Sequence, residues 1–200
     1  MMNDMLNQQN QEMKHLITSS HESLVEVSSG RQGQGAGVIW RSDGLIITNA
    51  HVVRRRTPQV TLWDGSRYAA TLVAKDEQND LAALKIDATD LPMIKRGSSE
   101  AVLPGQWVTA AGHPWGVLGA ASAGSLIASG PPLEWGENGR SMLQESLQLR
   151  PGHSGGPLLD ENGRLIGINT MISGPQVGLA IPVHVVEQFV ARLENDREYI

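Results

Sequence analysis

The sequence contains no cysteine among its 200 residues. This absence excludes disulfide bonds, thiolate catalysis and a zinc site with cysteine ligands. No run approaches the roughly 18 consecutive apolar residues of a membrane-spanning helix, and the first residues lack the basic-then-apolar profile of a signal peptide. We therefore expect no membrane span in this chain. Its localisation stays open between the cytoplasm and, if a leader was removed, the periplasm or another extracytoplasmic space.

The chain also has little excess of charge of either sign, with a formal net charge of -5 at pH 7. This small excess gives no reason to expect nucleic acid or an anionic membrane surface as a partner. Glycine and proline, by contrast, are common, at 22 and 10 residues. A chain so rich in turn-forming residues is typical of all-β folds.

Turn signals divide the chain into about a dozen short apolar runs of strand length. The clearest hairpin signal crosses Ser42-Asp43-Gly44, and the apolar spacing of 184–193 predicts a closing helix. We expect an N-terminal arm or helix at 1–22, an N-terminal β-barrel at 23–96, and a C-terminal β-barrel with the closing helix at 97–200. On residues alone, sandwiches are an alternative to barrels.

The segment from Arg150 to Leu158, RPGHSGGPL, places Ser154 between glycines. A serine hydroxyl is a poor nucleophile unless a base takes its proton and donors stabilise the oxyanion that forms. Flanking glycines let the backbone turn sharply and bring its N–H groups close to a substrate carbonyl. A glycine-rich turn with a solvent-facing serine is the alternative, so the assignment depends on a base and an acid elsewhere in the chain.

Six histidines are candidates for the base. His51 lies among small residues where a strand gives way to a tight turn, a position that can hold an imidazole at a cleft. His153 adjoins the serine, but neighbours on an extended turn point apart, and His184 opens the closing helix. Asp80 precedes an apolar strand, where a buried carboxylate would accept the Nδ1–H of His51 and fix its orientation. Asp76 is the alternative acid, with loop capping as its simpler role.

Five blocks of sequence, in this order, resemble the trypsin-like serine proteases of the HtrA/Deg type. They are GAGVIW with GLIITNAHVV, NDLAALKID, GHPWG, RPGHSGGPLLDENGRLIGINT and GLAIP. The resemblance covers about residues 23–190 and keeps the family's order of histidine, aspartate and serine. It implies an all-β fold of two six-stranded β-barrels of the trypsin/chymotrypsin type with a C-terminal helix.

The resemblance also implies a function, the hydrolysis of peptide bonds in unfolded or extended protein segments without a cofactor or a metal. Ser154 would be the nucleophile, His51 the base, and Asp80 the acid that orients His51. The backbone N–H groups of Gly152 and Ser154 would form the oxyanion hole. An extended polypeptide substrate would add itself as a strand beside Thr170 to Ile172.

The resemblance assigns substrate binding to six residues of this chain. They are Gln148, Leu149, Thr170, Met171, Ile172 and Gly178, of which Thr170 belongs to the strand edge and the other five to the pocket walls. Because no acid stands at the pocket base in this correspondence, a preference for Lys or Arg is not expected. Ile172 stands where open-pocket digestive proteases carry glycine, so we expect a small or medium aliphatic residue before the cleaved bond.

The sequence departs from the family pattern in three places. His153 stands where HtrA-like proteins usually carry asparagine and digestive proteases carry aspartate. Activation by propeptide cleavage is therefore not expected, and a loop that switches between disordered and ordered states agrees better. The resemblance ends with the closing helix, so no PDZ domain is expected in this chain. Family trimers often use N-terminal aromatics, which residues 1–20 lack, so a homotrimer is only a weak expectation.

Two other functions compete with proteolysis. A catalytically silent chaperone or scaffold would keep the fold without turnover. An esterase is the remote alternative, because residues 152–156 also match G-x-S-x-G, the nucleophile elbow of α/β-hydrolases. That elbow requires a helix after the serine, whereas Pro157 and a predicted hairpin follow here.

Overall fold

The computed structural model describes residues 7–8, 11, 14, 17–18, 20–30, 34–132, 135–136 and 139–195. Those described before Glu22 are helical, and the other residues of the predicted arm or helix at 1–22 lie outside the described residues. Within the described part of the chain, no helix is both long and apolar enough to cross a membrane.

The first seven strands form one antiparallel sheet in the order β5-β4-β1-β2-β3-β7-β6. They are β1 (Leu24–Ser28), β2 (Gln34–Arg41), β3 (Leu45–Asn49), β4 (Gln59–Thr61), β5 (Arg67–Ala69), β6 (Thr71–Asp76) and β7 (Leu81–Lys85). The two edge strands, β5 and β6, are separated only by the buried Ala70, whose N–H bonds to the carbonyl of Pro58. The two edges of the sheet are therefore formed by one continuous segment that bends at Ala70. The sheet must curl so that its two edges come close together.

The next six strands form a closed barrel in the order β10-β13-β12-β11-β8-β9. They are β8 (Trp107–Gly112), β9 (Ala120–Gly130), β10 (Met142–Glu145), β11 (Pro157–Leu159), β12 (Leu165–Ile172) and β13 (Gly178–Pro182). Helix α1 (Val183–Asn195) follows β13 directly. The predicted all-β fold with a C-terminal helix is confirmed. The first sheet counts seven strands rather than six because its bent strand is interrupted at Ala70.

One apolar core joins the two sheets and the helix. It contains Val38 and Ile47 from the first sheet, Leu165 and Ile181 from the barrel, and Phe189 from α1. The apolar residues of α1 recur on one face, as expected for a helix that buries a stripe against a core. This shared core fixes the two sheets against each other, and with them the cleft between their loops.

Candidate active site

His51 and Asp80 meet at the end of the first sheet. The N–H of His51 donates to Asp80 Oδ1 at 3.0 Å, and His51 Nδ1 lies 2.8 Å from Asp80 Oδ2. The side chain of His51 is 47% exposed, whereas that of Asp80 is 12% exposed. Because the carboxylate occupies Nδ1, the other ring nitrogen, Nε2, is the one available for proton exchange in the cleft.

Asp80 is held in a left-handed backbone conformation, with φ of 55°, that non-glycine residues seldom adopt. Its carbonyl accepts hydrogen bonds from the side-chain amide of Asn49 at 3.1 Å and from the N–H of Ala50 at 3.0 Å. Thr170 Oγ1 donates to Asp80 Oδ2 at 2.6 Å. Burial raises the pKa of Asp80, but the hydrogen bonds from His51 and Thr170 outweigh it and leave this pKa below its usual value. The carboxylate is thus kept ionised beside His51.

Ser154 reaches the same place from the second sheet. Its carbonyl accepts a hydrogen bond from the N–H of Ala36 in β2 at 2.8 Å, and its Oγ donates to the carbonyl of Thr170 at 3.0 Å. Among the described residues, no hydrogen bond joins Ser154 Oγ to His51. Gly155 follows with φ of 84°, and a Cβ there would stand 2.1 Å from the carbonyl oxygen of Ala36. Only glycine fits this close approach.

A type II turn precedes the serine. The N–H of His153 donates to the carbonyl of Arg150 at 2.9 Å, and Gly152 has φ of 108°. Proline at the second turn position and glycine at the third are the residues that this turn favours, and Pro151 and Gly152 supply them. The carbonyl of Gly152 is fixed by the N–H of His113 at 2.9 Å, so the orientation of the turn is set from β8.

Two backbone N–H groups beside the serine have no described hydrogen-bond acceptor, those of Gly152 and Ser154. Both residues line the cleft that also contains His51. Buried N–H groups are almost always bonded within a protein. A pair of unbonded donors facing a cleft can therefore bind a negatively charged oxygen.

The cleft has a volume of about 310 Å³ and takes its walls from both sheets. Its lining residues are Gln34, His51, Val52, Arg54, Leu149, Arg150, Pro151, Gly152, Ser154, Thr170, Met171 and Ile172. The cleft lining therefore includes two of the three predicted catalytic residues, His51 and Ser154, and four of the six predicted substrate-binding residues. Asp80 lies behind His51, outside this lining.

The remaining two predicted pocket residues lie apart from the cleft lining. The side chain of Gln148 bonds instead to Arg150, with Gln148 Oε1 at 2.9 Å from Arg150 Nη2. At Gly178, a Cβ would stand 2.7 Å from Glu145 Oε1 and 3.0 Å from Leu149 Cγ. Glu145 was not predicted, because strand periodicity shows only that a residue faces inward. Glu145 is not among the described residues that line the cleft, so the expectation that no acid lies at the pocket base stays a prediction.

Both oxygens of Glu145 are buried without a hydrogen-bond partner among the described residues. Burial raises the pKa of Glu145 well above its usual value. Burial therefore favours the protonated, neutral form of Glu145, and a neutral carboxyl does not provide the charge with which an exposed pocket aspartate would bind a cationic side chain.

His153, beside the nucleophile, points away from it. Its Nδ1 lies 3.2 Å from the carbonyl oxygen of Arg150 and the same distance from the N–H of that residue. The ring is buried, and burial lowers the pKa of His153. His153 thus braces the type II turn from inside, as expected for a histidine that is not the base.

The other candidates have structural contacts. Asp76 accepts hydrogen bonds from Asn79 in its own turn and from Arg192 of α1, and His184 bonds to Ser99. Strand β11 begins at Pro157, so a strand rather than a helix follows the serine, and the nucleophile-elbow alternative is wrong. Among the described residues, no three His, Asp or Glu side chains are grouped as metal ligands would be.

Residues 35–168 match the family model described as the trypsin-like peptidase domain. The chain belongs to the trypsin-like peptidase family. Over 172 residues it is 40% identical to a protein of Marinomonas sp. described as a DegP-like periplasmic serine endoprotease, an alignment that covers 83% of this chain and 36% of the relative. It is also 38% identical to the serine protease HhoB of Synechocystis sp., over 81% of this chain and 40% of that protein.

Solved structures of this peptidase family share the fold. The HtrA-type protease AlgW with a tripeptide superposes with a TM-score of 0.83 at 31% sequence identity, over 90% of this chain and 63% of that one. The resemblance to HtrA/Deg-type proteases is therefore confirmed at the level of sequence and fold. The chain spans 36–40% of the length of the curated relatives named above.

Proposed function

We propose that this chain is a serine endopeptidase that cleaves unfolded or extended polypeptide segments through Ser154, His51 and Asp80. One observation carries the proposal. A histidine oriented by a buried carboxylate and a serine from the other sheet line a single cleft beside two unbonded N–H donors. This arrangement supplies a nucleophile, a base and an oxyanion site at once.

The reaction begins with a rotation of the serine side chain. Ser154 Oγ leaves the carbonyl of Thr170, its partner in the resting structure, and turns toward His51 Nε2. His51 takes the proton as Oγ attacks the peptide carbonyl, and later gives it to the leaving amine. Asp80 stays ionised and stabilises the imidazolium. The N–H groups of Gly152 and Ser154 bind the oxyanion, each contributing about 2.7–4 kcal/mol.

The cleft walls favour an aliphatic residue before the scissile bond. Leu149, Met171 and Ile172 line the second-sheet side of the cleft, and Ile172 is 51% exposed there. An aliphatic side chain of the substrate would remove apolar surface from water on both sides of the contact, at about 25 cal/mol per Å². The side chain of Ile172, which lines the cleft, limits this residue to small or medium size.

The hydrogen bond from Ser154 Oγ to the carbonyl of Thr170 favours a second candidate function, a catalytically silent chaperone or scaffold. In such a protein Ser154 would keep its hydrogen bond to Thr170 when a polypeptide binds, and no turnover would follow. The two functions differ in whether Ser154 reacts.

Labelling with a fluorophosphonate probe and casein hydrolysis separate the two. We expect the unaltered protein to label and to cleave casein, and Ser154→Ala to lose at least about 10⁴-fold in rate. His51→Ala should lose a similar factor, and the double variant little more, because the residues act as a unit. Ser98→Ala, at an exposed serine, is the matched control. Equal cleavage by the unaltered and Ser154→Ala proteins, or no labelling of the unaltered protein, would refute the peptidase.

A further inference from the structure

Three successive arginines follow His51, and the structure separates their surroundings. Only Arg54 lines the cleft. The guanidinium of Arg55 packs against Gly30, with Nη2 3.1 Å from where a Cβ of that glycine would stand. Arg56 is exposed and lies outside the cleft lining. The fold therefore places one of the three charges at the candidate active site.

The backbone of Arg54 is fixed relative to His51. The N–H of Arg54 donates to Ser29 Oγ at 3.2 Å, and that hydroxyl donates to the carbonyl of Val52 at 3.0 Å. The side chain is exposed, and no described carboxylate lies within the 4 Å of an ion pair. Arg54 thus lines the cleft from a fixed backbone, and its guanidinium has no partner of opposite charge among the described residues.

The cleft as a whole is cationic in a protein of net charge -5. Arg54 and Arg150 line it, and no Asp or Glu is among the described residues that line it. The carboxylate of Asp80 lies behind His51, to which it bonds, and that of Glu26 accepts a hydrogen bond from the side chain of Gln34. A bound segment with carboxylates therefore meets complementary charge.

The position of Arg54 indicates which side of the scissile bond its guanidinium contacts. The apolar walls at Leu149 and Ile172 belong to the second sheet, and the proposed function assigns them to the residue before the scissile bond. Arg54 and Gln34 belong to the first-sheet half of the chain and also line the cleft. In the proposed reaction His51 gives its proton to the leaving amine. The backbone of Arg54 is fixed three residues after His51, which assigns Arg54 to the part of the substrate that leaves with the amine.

We propose that Arg54 makes this cleft select substrates with Asp or Glu in the first residues after the scissile bond. The inference rests on the proposed function and names its substrate class. A guanidinium binds a carboxylate with two parallel hydrogen bonds, and an exposed pair of this kind changes kcat/KM by about two- to fivefold. The effect is screened by salt, because the pair is open to solvent.

Two fluorogenic peptides test the proposal, identical except for Glu or Gln at the second residue after the cleaved bond. We expect kcat/KM for the Glu peptide to exceed that for the Gln peptide by about two- to fivefold in the unaltered protein. Arg54→Gln should bring this ratio to about one, and Arg56→Gln, the matched control, should leave it unchanged. Raising the salt from about 0.05 M to about 0.5 M should shrink the ratio in the unaltered protein.

Binding to Ser154→Ala separates this inference from the peptidase itself. Fluorescence anisotropy with the same two peptides should show a tighter Kd for the Glu peptide, lost in the Ser154→Ala, Arg54→Gln double variant. If neither peptide is cleaved but this preference holds, the peptidase fails and the acidic preference stands. Equal cleavage and equal binding of the two peptides, or an undiminished ratio in Arg54→Gln, would overturn the role of Arg54.

Discussion

Glu145 places a carboxyl group where no described residue bonds to it. The side chain is fully buried in β10, against Gly178 and close to Leu149. Burying an unbonded polar group costs free energy, and an ionised one costs far more, so the group responds by staying protonated. Glu145 therefore lowers the free energy of unfolding by an amount that depends on pH.

Glu145→Gln should stabilise the protein more at pH 8 than at pH 5. Because the pKa of Glu145 is raised in the folded state, the folded chain holds a proton that the unfolded chain releases above its own value of 4.5. The free energy of unfolding therefore falls as pH rises from that value. Glutamine cannot ionise, so the gain should be larger by about 1 kcal/mol or more at pH 8. Chemical denaturation at both pH values measures it.

Glu187→Gln, which removes one carboxylate at an exposed position of α1, is the matched control. A gain for Glu145→Gln that is the same at pH 5 and pH 8 would contradict the neutral buried acid.

At the scale of elements, the turn before the serine is held by contacts from three directions. Its own hydrogen bond joins His153 to Arg150, the N–H of His113 fixes the carbonyl of Gly152, and the N–H of Ala36 fixes the carbonyl of Ser154. Both histidines are buried, and burial lowers the pKa of each. The turn is therefore most stable where these rings are neutral.

His153→Asn should make stability less sensitive to acid. Below the ordinary histidine pKa of 6.5 the unfolded chain binds a proton that the folded chain resists, so the free energy of unfolding falls as pH drops from 7 to 5. One such group contributes at most about 1.4 kcal/mol per pH unit. Denaturation midpoints at pH 7 and pH 5 should therefore differ less in His153→Asn. His184→Asn is the comparison. If His153→Asn loses as much stability between pH 7 and pH 5 as the unaltered protein does, the prediction is contradicted.

At the scale of the whole molecule, the candidate site exists only where the two sheets meet. His51 and Asp80 come from the first sheet, whereas Ser154 and Thr170 come from loops and strands of the second. Helix α1 packs its apolar face into the core shared by both sheets. The helix thus helps to hold the two sheets together, and none of its described residues lines the cleft. The assembly of several copies, for which a homotrimer was the expectation, stays a prediction.

Phe189→Ala should weaken both sheets together. Phe189 is buried in the shared core, and removing a buried aromatic ring costs about 3–5 kcal/mol. Amide hydrogen exchange should show faster exchange in β3 of the first sheet and in β12 of the second, to a similar extent. Gln188→Ala, at the exposed neighbour, should stay within about 0.5 kcal/mol of the unaltered protein. Loss of protection in one sheet alone would show that the sheets unfold separately.

The sequence by itself determined the elements whose causes are local. The sharp turn around Ser154 follows from its flanking glycines, and the hairpin across Ser42-Asp43-Gly44 follows from turn residues between apolar strands. The order of family motifs also singled out His51 and Ser154 as candidates. In each case the determining residues are neighbours in the chain, or belong to a pattern that can be read along it.

Only the tertiary structure decided which distant residues meet. Thr170 bonds to Asp80 across 90 positions of sequence, Glu145 lies buried behind the cleft, and Arg54 alone of three arginines faces it. These contacts depend on how a bent strand curls the first sheet and how a shared core docks it on the second. Hydrophobic periodicity and turn preferences act over a few residues, so they do not predict how the two sheets dock. The cleft is formed by segments that are far apart in the chain and that packing brings together.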